Sequence, residues 1–398
     1  MSAVCTAAAS AAAAGPGGGA AISVVSMNML SPGYFRKTDR STKKRVEASH
    51  VDAWTQRLRQ QYRCVRELSA DVTCLQELWF KPAQFDLMHE ALGDAHEVVA
   101  AQRTGKKEDG VALLIRRDRW AVRAQLAVHL DAGAGDRSMA MALIEPAPGV
   151  RGQRAPPPPP PPLSPLLLVA TTHMTFPHDA HDAPVRLRQA QAIVRHLDEF
   201  AALHGAADAP VILSGDLNGE SSDPAVRLLL DHGFESGYAA CRGGREAAVT
   251  HLDHNGHAAG VDFVLYRCAR GGAGGAARLR PAAAVLLPEC APDTAMMARP
   301  VVQHPADVAA ASASLAACGR LSPASEVAVL GSHRELGSPP VGEPSPAAAA
   351  GAGADPAAPA LAFGLFASTQ PLSELTFEQW CQMTDHRAVA VRFDLEVG

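Results

Sequence analysis

Apolar runs that stop on one polar residue recur along this chain, and each reads as a buried strand carrying a functional group at its end. Ile22-Ser23-Val24-Val25-Ser26-Met27 stops on Asn28, and Val72-Thr73-Cys74-Leu75-Gln76 stops on Glu77. The run from Leu166 through Thr172 stops on His173. Val211-Ile212-Leu213 leads into Ser214-Gly215-Asp216-Leu217-Asn218. Gly260-Val261-Asp262-Phe263-Val264-Leu265-Tyr266 holds a lone Asp, and Thr384-Asp385-His386 precedes the run from Ala388 to Phe393. Further strands are predicted over Val98 to Ala101, Val111 to Ile115, Ala121 to Val128 and Met139 to Ile144. The pattern changes to helical spacing over Trp54 to Leu68, with Leu58, Val65 and Leu68 inward. It does so again over 184–204, with Leu187, Ala190, Ile193, Val194 and Leu197 on one side, and over 224–232 behind the Asp216 loop.

The polar ends suggest hydrolytic chemistry. An Asp at the mouth of a strand can orient or deprotonate a water, and a nearby Asn can hydrogen-bond a phosphoryl oxygen without adding negative charge. Gly215 is expected to let the backbone turn and to leave room for a ligand. Asp262 lies in an apolar run, where an unpaired charge is costly, so it needs a partner; His386 is available. Each group also has a plain structural reading. Asp216 fits an Asx-capped turn, Glu77 a strand-end charge and His173 a core histidine. Their coincidence in one chain favours the catalytic reading.

The ordered set Asn28, Gln76-Glu77, Thr172-His173, Gly215-Asp216-Leu217-Asn218, Val261-Asp262-Phe263 and Thr384-Asp385-His386 resembles the endonuclease/exonuclease/phosphatase superfamily. Arg103-Thr104 with Asp109-Gly110-Val111, and Arg186-Leu187-Arg188-Gln189, resemble its nocturnin/deadenylase branch. Val249-Thr250-His251 with Gly260-Val261-Asp262-Phe263 is most similar to a plant-type offshoot of that branch. The resemblance implies a four-layered α/β sandwich, two packed mixed β-sheets flanked by helices, with the site where strand ends of both sheets converge. It implies Glu77 as the main ligand of a magnesium or manganese ion, with Asn28 beside it and Asp385 near the metal. It implies that Asp216 activates the attacking water and that Asn218 and His173 contact phosphoryl oxygens. His386, held by Asp262, would stabilise the pentacovalent transition state. Arg103 and His251 are placed as substrate-binding residues. Magnesium prefers hard oxygen ligands and few protein carboxylates, which Glu77 and Asp385 satisfy. None of the cysteines lies in these motifs, and the chemistry needs no covalent nucleophile.

The stretch His251-Leu252-Asp253-His254-Asn255-Gly256-His257 has histidines at intervals of three. A zinc site is the sharper reading, but Asn255-Gly256 reads as a hairpin turn and no cysteine lies close by. The expectation is a solvated loop from which His251 reaches the substrate. An EF-hand reading fails because Ala258 and Val264 occupy its Gly and Glu positions.

Composition narrows the rest. Of 398 residues, 47% are hydrophobic, but much of this is alanine in low-complexity tracts. The chain is therefore read as one catalytic domain, 22–267 plus 371–398, with additions. These are a disordered Ala/Gly-rich tail at 1–21 and a largely disordered Ala/Gly/Pro-rich insertion at 268–370, which buries too little to offset chain entropy. The insertion is a departure from the family pattern, which spaces the Asp262 and Asp385 motifs more closely. Pro156–Pro162 is expected to be a polyproline loop. Eight scattered cysteines without CxxC pairing fit a reducing compartment, so a cytoplasmic or nuclear location is expected. Residues 1–21 lack the basic start of a secretory signal, no run is long enough to span a bilayer, and no oligomerisation signal is visible.

A net charge of −5 argues against strong non-specific nucleic-acid binding. A local basic rim of Lys43, Lys44, Arg45, Lys106 and Lys107 reads as a solvated face. The branch resemblance favours a 3′-to-5′ exoribonuclease of deadenylase type on single-stranded RNA. Tyr34, Phe35, Phe176 and Tyr238 are candidates for a base-stacking groove, although aromatics are only 5% of the chain. The rival is a phosphatase of a small phosphorylated metabolite, such as a nucleotide cofactor or an inositol phosphate. A third reading is an inactive phosphate-binding scaffold, against which all catalytic positions carry competent residues.

Overall fold

The computed structural model describes residues 20–35, 47–130, 136–148, 165–253, 257–268, 277–288, 380 and 383–396. All lie within one compact unit made of residues 1–303 and 369–398. Fourteen strands run in chain order: β1 (Ala20–Asn28), β2 (Val72–Trp79), β3 (His96–Gln102), β4 (Asp109–Arg116), β5 (Trp120–His129), β6 (Ser138–Pro146) and β7 (Leu167–His173), then β8 (Val211–Asp216), β9 (Glu235–Ser236), β10 (His251–Leu252), β11 (Ala258–Ala259), β12 (Asp262–Arg267), β13 (Arg278–Leu287) and β14 (Ala388–Glu396). The helices are α1 (Val51–Leu68), α2 (Pro82–Leu92), α3 (Asp182–Leu203), α4 (Pro224–Asp231) and the short α5 (Gly237–Cys241).

The strands form two mixed six-stranded sheets, ordered β13-β14-β1-β2-β4-β3 and β5-β6-β7-β8-β12-β9. Side chains alternate between faces along each strand, so one sequence supplies two cores. Val24, Val72, Leu113, Val169, Ile212, Val264 and Phe393 fill the space between the sheets. The opposite faces meet helices. Met27, Leu75 and Leu114 pack with Trp54, Leu58 and Tyr62 of α1. Leu168, Leu213 and Leu265 pack with Ile193, Leu197 and Phe200 of α3 and Leu229 of α4. The result is the α/β/β/α sandwich expected from the sequence. Truncating a fully buried leucine such as Leu213 to Ala costs about 2–5 kcal/mol.

Helix ends follow local chemistry. Ser69 closes α1 in the left-handed region, its N–H donating to the Val65 carbonyl. Asp223 caps α4, accepting from the Ala225 N–H at 2.9 Å, with Pro224 at the first turn.

Two expectations change here. Within the span 268–370, read as largely without structure, residues 278–287 form β13, which pairs along its length with β14. Its apolar run, Ala282 to Leu287, is short and set in Ala/Gly-rich sequence that hides it, and the partner strand supplies the pairing. The rest of that span lies outside the described residues, apart from 268, 277 and 288, as do residues 1–19 of the tail and the proline run; the last two residues of the tail read as 1–21 belong to β1. Gly215 makes room for backbone rather than for a ligand: a Cβ there would lie 2.0 Å from the Thr172 carbonyl oxygen on the neighbouring β7. Among the described residues no helix is long and apolar enough to cross a membrane.

Candidate active site

Each sheet contains one parallel pair, β1 with β2 and β7 with β8, and both pairs end at the same place. Asn28 and Glu77 come from the first pair, His173 and Asp216 from the second. Their antiparallel neighbours begin where these strands end, which adds Asp109 at the start of β4 and Asp262 at the start of β12. Asp385 and His386 lie just before β14.

Asn28 joins the two sheets. Its Nδ2 donates to Asp216 Oδ2 at 3.1 Å and to Glu77 Oε1 at 3.4 Å, while its Oδ1 accepts from the Leu30 N–H. The amide is thus a bridge between two carboxylates, and its oxygen faces the backbone rather than Glu77. Glu77 sits at a bulge in β2 with φ +55°, a region costly for a residue with a side chain. The bulge breaks the alternation and turns the carboxylate toward the site. Burial, then the charges of Asp385 and Asp109, push its pKa up to about 7. The Ser31 N–H donates to Oε2 at 2.9 Å, which offsets only part of that.

Toward the other sheet, His386 Nδ1 lies 2.9 Å from Asp262 Oδ2. Its Nε2 is 3.6 Å from Asp216 Oδ2 and 3.8 Å from Asp385 Oδ1. Burial opposes the imidazolium, but Asp262, Asp216 and Asp385 outweigh it and lift the pKa to about 10. His386 is therefore a cation at neutral pH. His173 is the opposite case. Burial, with Arg137 and Arg103 nearby, holds its pKa well below the ordinary value, so it is neutral. Its Nε2 lies 3.4 Å from Asp216 Oδ2. Burial also raises the Asp216 carboxyl, with His386 opposing.

Asn218 takes φ +49°, its N–H donating to Asp216 Oδ1 and its Nδ2 to the Met174 carbonyl. One Nδ2 hydrogen is left for a ligand. The catalytic loops are tied down from behind. Arg57 and Gln61 of α1 donate to the carbonyls of Met29 and Met383, joining the loop after β1 to the segment before β14. Trp380 Nε1 donates to the His386 carbonyl at 2.8 Å.

The two substrate-binding expectations fare differently from the core set. Arg103 is nearly buried, and its Nη groups donate to Asp109, Asp136 and Tyr34. His251 is not in a solvated loop. It is buried in β10, which pairs with β11 as the hairpin anticipated from Asn255-Gly256, whose tip lies outside the described residues. Its ring stacks on His386 at 4.1 Å and 11°, and its Nε2 lies 3.7 Å from Asp385 Oδ2. Backbone bonds from Leu252 N to Asp385 O and from Arg387 N to Thr250 O hold it there. His257, expected in the same loop, is exposed and binds Asp253 instead. Of the four aromatics proposed for a groove, Phe35 and Tyr238 are core residues, and Tyr34 is engaged by Asp109. Phe176 remains, against the rings of His178 and His251.

The donors fit a divalent cation. Glu77 is a carboxylate whose ionisation is opposed by neighbouring carboxylates, and Asp385 Oδ1 is buried without a hydrogen-bond partner. Hard oxygen donors in excess of local cations suit such an ion. His251, Asp385 and His386 have donor atoms within 4.8 Å of one another, as do Asp216, Asp262 and His386.

Residues 26–276 match the family model described as the Endonuclease/Exonuclease/phosphatase family. The chain belongs to the endonuclease/exonuclease/phosphatase family. Members of this family are hydrolases of phosphoester bonds. Among its relatives, an uncharacterized calcium-binding protein of Arabidopsis thaliana is 25% identical over 249 residues, 61% of this chain and 50% of that protein. Protein angel of Drosophila melanogaster is 24% identical over 191 residues, 48% of this chain and 50% of that protein. The chain thus spans about half the length of the curated relatives it matches. The human nocturnin catalytic domain, solved with a bound sulfate, superposes with a TM-score of 0.45 at 16% identity, covering 65% of this chain and 84% of that one.

Sequence reasoning missed Arg137, Asp109 as a site group, and the clamp from Thr250. Arg137 directly precedes β6 and Asp109 begins β4, both antiparallel to strands whose ends were read. A search for polar residues at the starts of apolar runs, as well as at their ends, finds both.

Proposed function

We propose that the chain is a magnesium-dependent phosphodiesterase that removes nucleotides from the 3′ end of single-stranded RNA. The observation that carries this reading is the bridge of Asn28 between Glu77 and Asp216, with cationic His386 beside Asp216. One side of the bridge is a carboxylate suited to a cation, and the other is a carboxylate suited to take a proton from water. The bound ion would be held by Glu77 and Asp385 and would polarise a phosphoryl oxygen. Asp216 orients the attacking water and accepts its proton as oxygen bonds to phosphorus. Cation His386, its tautomer held by Asp262, faces the negative charge that develops on the phosphoryl oxygens. The P–O3′ bond breaks, leaving a shortened RNA with a 3′-hydroxyl and a nucleoside 5′-monophosphate. RNA as substrate is supported by the branch-like motifs Arg103-Thr104 with Asp109-Gly110-Val111 and Arg186-Leu187-Arg188-Gln189.

A second reading is favoured by one observation. With Phe35 and Tyr238 in the core, little aromatic surface remains for stacking several bases. A phosphatase of a small phosphorylated metabolite needs less of it. The test is product release with magnesium from oligo(A), mixed-sequence RNA, single-stranded DNA, NADP, inositol phosphates and sphingomyelin, with Asp216→Ala as control. Mononucleotides from oligo(A), lost in the control, establish the exonuclease. Phosphate from a small molecule with RNA intact establishes the second reading.

A further inference from the structure

Arg137 has no role in the chemistry above, yet it sits inside the site. It lies one residue ahead of β6, next to the strand end that carries His173, because Met139 pairs with Thr172 across β6 and β7. It is 7% exposed, and its Nε and Nη1 have no hydrogen-bond partner. Glu77, Asp109 and Asp136 lie within electrostatic reach. All three are already engaged. Arg103 takes Asp109 at 3.2 Å and Asp136 at 2.6 Å, and Tyr34 donates to Asp109 at 2.7 Å. Glu77 accepts from Asn28 and Ser31.

The two guanidiniums therefore differ in kind. Arg103 uses its Nη groups to tie carboxylates and a phenol into a wall. Arg137 holds unused donors beside His173, where burial and Arg103 weaken its cationic state. A buried guanidinium with idle N–H groups is destabilising unless an anion completes it. Among the described residues the carboxylates nearby are taken, which leaves room for an anion from outside the chain. A planar fork of N–H donors matches the non-bridging oxygens of a phosphoryl group.

We infer that Arg137 is a phosphate-binding residue of this site, its Nε and Nη1 donating to non-bridging oxygens of a substrate phosphoryl group. That the anion is a phosphate rests on the phosphoesterase reading. Phosphate affinity is measured without turnover, so the two fail separately.

The experiment is calorimetric titration of the full chain with inorganic phosphate in magnesium, comparing the unaltered chain with Arg137→Met and Arg137→Lys. Arg137→Met weakens phosphate binding by about tenfold or more, the usual effect of losing hydrogen bonds to a charged group. Arg137→Lys keeps the charge, loses the fork and falls between. Magnesium affinity is unchanged in both. Without phosphate, Arg137→Met melts no lower than the unaltered chain, because an uncompensated buried charge is removed. Phosphate then raises the melting temperature of the unaltered chain more than that of Arg137→Met. The phosphate involved is assigned on an oligonucleotide substrate. A fall in kcat marks the scissile group, and a rise in KM alone marks a neighbouring one. Phosphate affinity equal to that of the unaltered chain in both variants overturns the inference. So does an unaltered chain that binds no phosphate at 10 mM, on the order of the weakest affinity useful to a site. If Arg137→Met does not fold, Arg137→Lys with unweakened phosphate affinity has the same force.

Discussion

The two sheets contribute to the site in matching positions but by different means. Each offers the ends of its parallel pair and the starts of the antiparallel neighbours. In the second sheet the pairing is regular to its last residues, His173 opposite Asp216 and Asp262 opposite Asp216. Its charges are balanced across the sheets: Asp216 and Asp262 face the cationic His386, which precedes β14 of the first sheet. In the first sheet the pairing breaks at Glu77, which takes a positive φ, and burial with the charges of Asp385 and Asp109 outweighs the influence of His386 on the carboxylate. In the proposed mechanism the Asp216–His386–Asp262 group handles the proton, and Glu77, held in strained backbone, takes the cation. The comparison teaches that regular pairing suffices to place groups that satisfy one another. A group meant for a ligand from solvent is presented by local distortion.

The largest expected effects test that division. Glu77→Ala and Asp216→Ala each lower kcat by about 10²–10⁴-fold. Glu77→Ala also loses magnesium binding by titration, whereas Asp216→Ala, which removes a group that bonds the neighbouring Asn28, weakens it by no more than about 10–100-fold. Equal loss of metal in both variants breaks the comparison.

Next, Asp262→Asn removes the first partner that raises His386. Its pKa moves from about 10 toward the ordinary histidine value, read by NMR titration, and kcat falls about 10²-fold. An unmoved His386 titration contradicts the pairing as the source of the charge.

The pH dependence of stability is smaller and has a defined sign. Glu77 has a folded pKa near 7, above its ordinary 4.5, so the folded metal-free protein holds the extra proton between these values. Its contribution to stability is therefore lost as pH rises through that window. His386 is raised from 6.5 to about 10, so its stabilisation is full below 6.5 and is lost as pH rises through 10. Metal-free Glu77→Gln is expected to flatten the first window and raise Tm at pH 8 by several degrees, on the order of 2–4 °C per kcal/mol relieved. Saturating magnesium flattens it in the unaltered chain.

The smallest effects lie at the supports. Gln189 bonds the Thr175 N–H and hydroxyl, holding the loop after His173 to α3. Gln189→Ala costs about 1 kcal/mol by thermal unfolding and leaves kcat within about tenfold. Removing the exposed Arg59–Glu90 pair changes stability by no more than about 1 kcal/mol.

Much of the site was legible because a strand end is a local event. An apolar run ending on a polar residue marks Asn28, Glu77, His173 and Asp216 without knowledge of the fold. The helices over 51–68 and 182–203 follow from spacing for the same reason. Other residues were not legible. Phe35 and Tyr238 are no different in sequence from groove aromatics; only the layers packed over them bury them. His251 lies in a polar stretch that reads as solvated, and β10 docks it on His386 from the far end of the chain. β13 has a short apolar run, Ala282 to Leu287, hidden in Ala/Gly-rich sequence, and β14 at the far end of the chain supplies its pairing.

The sequence alone determined which groups exist and that they stand at strand ends, since side-chain alternation and run length are set by neighbours in the chain. The tertiary structure decided which groups meet, which are neutral and which charged. Those properties depend on burial and on distances between residues far apart in sequence. The same carboxyl becomes a partner at Asp262, which meets His386 from the opposite sheet, and an unbalanced group at Glu77, which meets Asp385 and Asp109 from its own.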